Sequence, residues 1–122
     1  MSGPLWLLRR CLPLLGASTG TLVHLLAAVA EQPLPGLAAY SATKTARTAA
    51  DVALDRELRR VKVRLLDVRP PPTDTGLADR PIHGVAPPLP TGLTPHAVAR
   101  RLADALAEGR GHEPAADFDD GT

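Results

Sequence analysis

Apolar residues recur at helical spacing in three segments of the chain. Two short segments between them, also rich in apolar residues, are predicted to be strands. Leucines spaced three and four apart predict a helix over 3–16. Apolar positions at every third or fourth residue predict a long helix over 38–60 and a last one over 95–108. The segment 20–26 lacks clean alternation, which is typical of a strand buried on both faces, and residues 61–68 are predicted to be the second strand.

The predicted order is therefore α-β-α-β-α, and it indicates an α/β fold. A strand, a long helix and a second strand form a βαβ unit, whose two strands lie parallel. Eight of the 13 prolines fall between Pro70 and Pro95, so this segment is predicted to be a long loop that serves as a lid or binding loop. We expect one domain over 1–110 and a disordered acidic tail over 111–122.

Composition excludes several classes of function. A net charge of +1 over 122 residues gives no field that would attract nucleic acid or an anionic membrane. Three aromatic residues, Trp6, Tyr40 and Phe118, are too few for base stacking. A single cysteine and four scattered histidines give no ligand spacing for a metal, so no metal site is predicted.

The N-terminal segment allows a second interpretation. Arg9 and Arg10 precede a mostly apolar run that ends at Ala30, as in a secretory signal peptide. Proline, glycine and histidine interrupt that run, so no unbroken apolar stretch approaches the ~18 residues that a membrane-spanning helix needs. Because the interrupted run is a poor signal peptide and a poor membrane helix, we expect a cytoplasmic protein.

The sharpest chemical feature is the pair Tyr40 and Lys44. Four residues apart on a helix, the two side chains lie on one face, which continues through Arg47 and Asp51 as the side of a cleft would. This face is rotated away from the alanine-leucine stripe that is expected to face the core, formed by Ala46, Ala49, Ala50, Ala53, Leu54 and Leu58. A tyrosine phenol ionises near pH 10, and a nearby ammonium favours the phenolate, so such a pair can exchange a proton with an alcohol or carbonyl oxygen. A solvent-exposed pair on a helix surface is the alternative, since five residues in this pattern also occur by chance.

The sequence around the pair is more specific. The segment 33–44, PLPGLAAYSATK, resembles the active-site helix of the short-chain dehydrogenase/reductase family. Segment 3–15 is similar to the family's preceding helix, and 20–23 to the strand that follows it. Segments 63–70 and 73–77 resemble the next strand and its cofactor-side loop. The resemblance covers about residues 3–108 in the expected order.

This resemblance implies a partial Rossmann-like, doubly wound fold with two parallel strands and a long proline-rich loop. It implies an NAD- or NADP-dependent oxidoreductase that interconverts an alcohol and a carbonyl compound. Tyr40 would be the general acid and base, and Lys44 would promote its ionisation and hold the nicotinamide ribose. Pro70 and Thr75 would lie beside the cofactor. The helices 3–16 and 38–60 resemble those that pair in the family's dimers.

The chain also departs from the family. The family places a serine about 13 residues before the tyrosine; that zone is occupied here by Leu26, Ala27 and Ala28, and none of their side chains can donate a hydrogen bond. No G-x-x-x-G-x-G turn occurs in the chain, so nothing here is predicted to cradle a pyrophosphate.

We therefore expect the C-terminal half of such an enzyme, truncated, with little cofactor binding and weak or no activity alone. The alternatives are a non-catalytic interaction fragment, as a homodimer or on a full-length relative, and a broken reading frame. The substrate, and the choice between NAD and NADP, are not determined by these residues.

Overall fold

The computed structural model describes residues 2–118 of the 122. None of the helices in this range is both long and apolar enough to cross a bilayer. The helices are α1 (Ser2–Ser18), α2 (Ala38–Arg60) and α3 (Pro95–Glu108); the strands are β1 (Thr21–Leu25), β2 (Arg64–Val68) and β3 (His112–Glu113); and single 3₁₀ turns occupy Ala28–Ala30 and Ala115–Asp117.

The strands form one parallel sheet in the order β1-β2-β3. β1 pairs with β2 from Thr21 opposite Arg64 to Leu25 opposite Val68. β3 pairs with the other side of β2, where Val68 lies opposite Glu113. The predicted α/β class with a partial Rossmann-like sheet is confirmed, and the sheet has one strand more than the two predicted.

The extra strand lies in the segment that was predicted to be a disordered tail, and that prediction is wrong for residues 111–118. Acidic composition suggested a solvated segment, but the Glu113 side chain is fully buried because Arg101 and Arg110 both pair with it. Phe118 anchors the segment further by packing on an apolar cluster. Residues 119–122 of the predicted tail lie outside the described part of the chain.

Alternation along β2 divides the core into two apolar clusters, one on each face of the sheet. Leu65 contacts the first cluster, on the α1 and α2 side, and Leu66 and Val68 contact the second, on the α3 side. The result is a three-layer α/β arrangement, which covers both faces of a parallel sheet. The first cluster comprises Leu12, Leu15, Leu22, Leu54, Leu58, Val63 and Leu65; the second comprises Val23, Leu66, Val68, Leu102, Ala105, Leu106 and Phe118.

The buried face of α2 differs from the predicted one. The alanine-rich stripe was expected to face the core, but Ala46, Ala49 and Ala53 are exposed. Ser41 and Asp51 are buried instead, and only from Leu54 onward is the sheet-facing side apolar. The buried side of α2 is therefore polar at Ser41 and Asp51 and becomes apolar toward its C-terminal end.

The proline-rich segment between β2 and α3 folds back on itself. The backbone N–H of Asp74 donates to the carbonyl of Leu93 at 2.8 Å, and that of Leu93 donates to Pro72 at 2.8 Å. Gly92 is required at this crossing, because a Cβ there would lie 2.7 Å from the carbonyl oxygen of Pro72. The folded loop encloses a pocket of about 400 Å³ lined by prolines, Asp74 and Asp79.

Candidate functional site

Tyr40 and Lys44 lie on adjacent turns at the start of α2 and contact each other. The Lys44 ammonium nitrogen is 5.4 Å from the centroid of the Tyr40 ring. The Tyr40 side chain keeps 42% of its surface exposed, so its hydroxyl can be reached from solvent. The geometry thus gives an accessible phenol with a cation beside it.

The pair sits where the carboxyl ends of the strands meet the start of α2. The Thr45 hydroxyl, next to Lys44, donates to the carbonyl of Ala30 at 3.4 Å, which joins α2 to the turn that follows β1. The N–H of Ala28 in the same turn donates to the carbonyl of Pro70 at 3.0 Å, just beyond β2. In open α/β sheets this edge is where ligands bind.

Lys44 is partly withdrawn from water. Burial, reinforced by the positive charge of Arg47, lowers the pKa of Lys44 below its ordinary value of 10.5. Within residues 2–118, no carboxylate lies at ion-pair distance from Lys44. A desolvated ammonium without a counter-charge retains donors for a hydroxyl group of a ligand.

Two further polar atoms beside the pair are buried without a hydrogen-bond partner in the described residues. They are the hydroxyl oxygen of Ser41 and the Nε of Arg47. Buried polar atoms are normally satisfied, and exceptions concentrate where a ligand or solvent would complete them. The N-terminal half of α2 therefore carries more polar capacity than its own fold uses.

The two other predicted cofactor residues lie elsewhere on this edge. Pro70 is buried and fixed to the turn after β1 by the bond from Ala28. Thr75 is exposed, and its hydrogen bonds stay within its own loop, to Thr73 and from Arg80. The structure thus connects Pro70 to the segment beside the pair, whereas no described hydrogen bond connects Thr75 to it.

Ala27 lies between β1 and the 3₁₀ turn, where the resemblance called for a serine. Its backbone is extended, with φ −165° and ψ 158°, and its carbonyl accepts from the N–H of Ala30 at 3.0 Å. A methyl side chain offers no donor. A substrate oxygen placed near Tyr40 would therefore lack the second hydrogen bond that such sites use.

A buried contact between a histidine and an aspartate below the site was not foreseen from the sequence. His24, in the middle of the β1–β2 ladder, contacts Asp51 of α2 through its Nδ1, and both side chains are buried. The second carboxylate oxygen of Asp51 has no partner in the described residues. Asp51 was predicted to lie on the cleft side of α2. That prediction is wrong, because the Asp51 side chain is buried against His24 of β1.

Charged residues continue across the same face of the sheet. Arg69 donates two hydrogen bonds to Asp67, at 3.1 and 2.7 Å, and lies 3.7 Å from Glu31. The hydrogen bond to Asp67 is the largest of the effects that raise the pKa of Arg69. The only hint of this row in the sequence is the polar residues His24 and Asp67 inside otherwise apolar strands.

No group of three metal-ligating side chains occurs among the residues that the structure describes.

Comparison with protein families gives one match. The model of the short chain dehydrogenase family matches residues 1–83, about two thirds of the chain. No curated protein matches the sequence.

Solved structures share the fold over nearly the whole chain. A short chain dehydrogenase from Burkholderia cenocepacia J2315 in complex with NADP superposes with a TM-score of 0.79 at 25% identity, over 93% of this chain and 45% of that one. A bulky-bulky ketone specific alcohol dehydrogenase from Comamonas testosteroni gives 0.75 at 17% identity, over 93% and 42%.

A third similar structure is the 3-ketoacyl-(acyl-carrier-protein) reductase from Brucella melitensis complexed with NADH. It gives a TM-score of 0.66 at 22% identity, over 93% of this chain and 50% of that one. The chain thus spans half or less of the length of these proteins.

Proposed function

Because the chain belongs to the short-chain dehydrogenase family, we propose that it carries the proton-transfer half of an NAD(P)-dependent oxidoreductase that interconverts alcohols and carbonyl compounds. The observation that carries this proposal is the contact of Lys44 with Tyr40, 5.4 Å from ammonium to ring centroid, at the carboxyl edge of the sheet. That two of the similar structures hold NADP and NADH supports a nicotinamide cofactor.

Tyr40 moves the proton in this proposal. During reduction of a carbonyl compound, its phenol O–H donates to the substrate oxygen as the carbonyl carbon is reduced; in the reverse direction the phenolate accepts the alcohol proton. The ammonium of Lys44, 5.4 Å from the centroid of the Tyr40 ring, would hold the nicotinamide ribose beside the phenol. A bound nicotinamide would supply or accept the hydride.

The residues present fit one part of that cofactor and not another. The Lys44 ammonium, half-buried and without a carboxylate partner in residues 2–118, suits a ribose hydroxyl. The pyrophosphate needs backbone N–H groups at a glycine-rich turn, and the sequence has no G-x-x-x-G-x-G. We therefore propose weak cofactor binding by the chain alone, and micromolar affinity for NADH or NADPH in a titration would contradict this.

Substitution of Tyr40 tests the proton transfer. Tyr40→Phe removes only the hydroxyl of a partly exposed ring, so the fold should persist. We expect loss of whatever NAD(P)H-dependent ketone reduction the wild-type chain shows, by about 10²-fold or more. Circular dichroism provides the control for folding. Unchanged turnover in Tyr40→Phe would exclude Tyr40 as the acid.

Restoring the missing donor gives a test of opposite sign. Ala27→Ser places a hydroxyl where the resemblance requires one, and a donor to the developing oxyanion is worth about 10²-fold in rate. We expect Ala27→Ser to raise the reduction rate and its neighbour Ala28→Ser to leave it unchanged. Equal rates in the two variants would show that no substrate oxygen binds beside Ala27.

A second function, a non-catalytic interaction fragment, is favoured by one observation. α1 exposes Leu7 and Leu14, the latter with 73% of its surface in solvent, and α2 exposes Val52 at 63%. Both helices pack on the same face of the sheet, so these exposed apolar residues lie on one layer of the molecule. We propose that these two helix faces bind a second copy of the chain or a related subunit.

Sedimentation velocity tests this second function. Leu14→Glu, at an exposed position, should shift a dimer to monomer without loss of helicity. Asp74→Glu, on the distant proline-rich loop, is the matched control. A wild-type chain that sediments as a monomer at all concentrations would contradict dimerisation.

A further inference from the structure

The two edges of the sheet are protected to different degrees. β3 is only two residues long and is followed at once by Pro114, and both features discourage pairing at an edge. β1 has five residues, with no proline and no exposed charge. The edge of β1 is thus the one at which this sheet can be extended.

The backbone groups on that edge can be assigned from the ladder. Leu26 donates to Val68, and Gly20 accepts from Arg64, so the even-numbered residues of β1 direct their backbone groups toward β2. In a strand the direction alternates, which leaves the N–H and C=O groups of Thr21, Val23 and Leu25 pointing outward. None of these outward groups has a hydrogen-bond partner within residues 2–118.

On the α3 side, the sheet face is left open only at the end of β1, at Leu25. On the α3 side, the residues of α3 pack on Leu66 and Val68 of β2, and Leu25 at the end of β1 keeps 51% of its surface in solvent. Parallel sheets are normally covered on both faces. A second copy of this chain that paired β1 with β1 would satisfy the edge but leave Leu25 uncovered, because its own α3 would lie over its own β2.

We propose that this open edge and the strip around Leu25 bind a separate α/β polypeptide, which adds a strand parallel to β1 and lays a helix over Leu25. This chain covers half or less of the similar structures that hold NADP and NADH. We therefore expect the partner to be an α/β polypeptide that carries a dinucleotide-binding half. Backbone hydrogen bonds would supply affinity and the Leu25 strip specificity.

The test uses the full chain and, as the probe, the part of the Burkholderia cenocepacia dehydrogenase that lies outside the matched 45%. The two are co-expressed, and hydrogen exchange is measured residue by residue. In the chain alone the amides of Val23 and Leu25 should exchange fast and that of His24 slowly. With the probe, the amides of Val23 and Leu25 should slow by about tenfold or more.

Two variants locate the contact. Leu25→Glu puts a charge on the exposed strip without disturbing the core, and should weaken the complex by roughly tenfold or more. Ile82→Glu, at a fully exposed apolar position on the proline-rich loop, is the matched control and should leave complex formation unchanged. Because this readout needs no turnover, it can succeed while the proposed proton transfer fails, and the reverse.

Three results would overturn the proposal. The first is the absence of a complex with the probe. The second is a complex that Leu25→Glu does not weaken. The third is concentration-dependent protection of Val23 and Leu25 in the chain alone, which would show that a second copy occupies the edge.

Discussion

The ammonium of Lys44 stands out among single residues because the fold destabilises its charged form. Burial and the neighbouring Arg47 both lower its pKa. No described residue offers it a counter-charge. Charged side chains that destabilise the folded state are typical of ligand-binding sites, where function requires the charge. The energetics of Lys44 therefore support its assignment to the candidate site independently of the sequence motif.

This cost gives a pH-dependent prediction. A lysine whose pKa is lowered in the folded state destabilises the fold in full below the folded-state pKa, because it is charged in both states. The cost disappears as the pH rises toward the unfolded-state value of about 10.4. Lys44→Met should therefore unfold at higher denaturant concentration than wild type at pH 7, with a smaller difference at pH 10.

Chemical denaturation at the two pH values measures this difference. Lys62→Met, at a position exposed in the described structure, is the control and should change the midpoint little. If Lys44→Met and wild type differ equally at both pH values, the burial of the charge has no energetic consequence.

The sequence specified the residues of the candidate pair but not those that surround it. Tyr40 and Lys44 are close in the chain, and helical spacing alone brings them together. The contact of His24 with Asp51 joins residues 27 positions apart, and it depends on how α2 rotates on the sheet. That rotation was predicted from an alanine stripe, and alanine is compatible with both a buried and an exposed position, so the prediction failed there.

At the scale of elements, local signals set most boundaries. α2 and α3 begin and end where predicted: α2 ends with the basic residues Arg59 and Arg60, and both termini of α3 carry explicit signals. Thr94 caps α3 by accepting from the N–H of Ala97 at 3.1 Å, and Gly109 ends it in a left-handed conformation with φ 72°. β2 begins three residues later than predicted, at Arg64, because Lys62 adopts φ 58° in the turn that leaves α2.

The terminating glycine of α3 gives a second prediction. Gly109→Ala forces a Cβ into the left-handed region, and should lower the free energy of unfolding by about 1 kcal/mol. Gly16→Ala should have the opposite sign, since its position in α1 is helical and has space around it, and alanine favours helix by about 1 kcal/mol. Thermal denaturation of both variants tests the contrast, and two shifts in the same direction would contradict it.

At the scale of the whole molecule, a buried carboxylate joins the third strand to α3, in addition to the two apolar clusters. Glu113 contacts Arg101 of α3 through one oxygen, and its other oxygen lies 3.1 Å from the Arg110 guanidinium. Its hydrogen bond is the largest of the effects that raise the pKa of Arg101. This network closes the sheet by fixing β3 against α3. The sequence did not reveal it because a two-residue strand has no periodicity to detect.

Removing that charge gives the last prediction. Glu113→Gln preserves the shape of the side chain but removes the buried negative charge that pairs with Arg101 and Arg110. Breaking a buried pair by removing one partner costs about 3–5 kcal/mol. Glu108→Gln is the matched control, because Glu108 is exposed and pairs with the same two arginines at 3.6 and 3.8 Å, where an ion pair contributes about 0–1 kcal/mol.

Urea denaturation and hydrogen exchange of Asp67 and Arg69 distinguish the possible outcomes, because these amides donate to Gly111 and Glu113. In Glu113→Gln we expect both amides to lose protection together with the global decrease in stability. If Glu108→Gln destabilised the fold as much as Glu113→Gln, the surface pairs would matter as much as the buried one. The prediction that the buried carboxylate contributes more to stability than the exposed one would then be wrong.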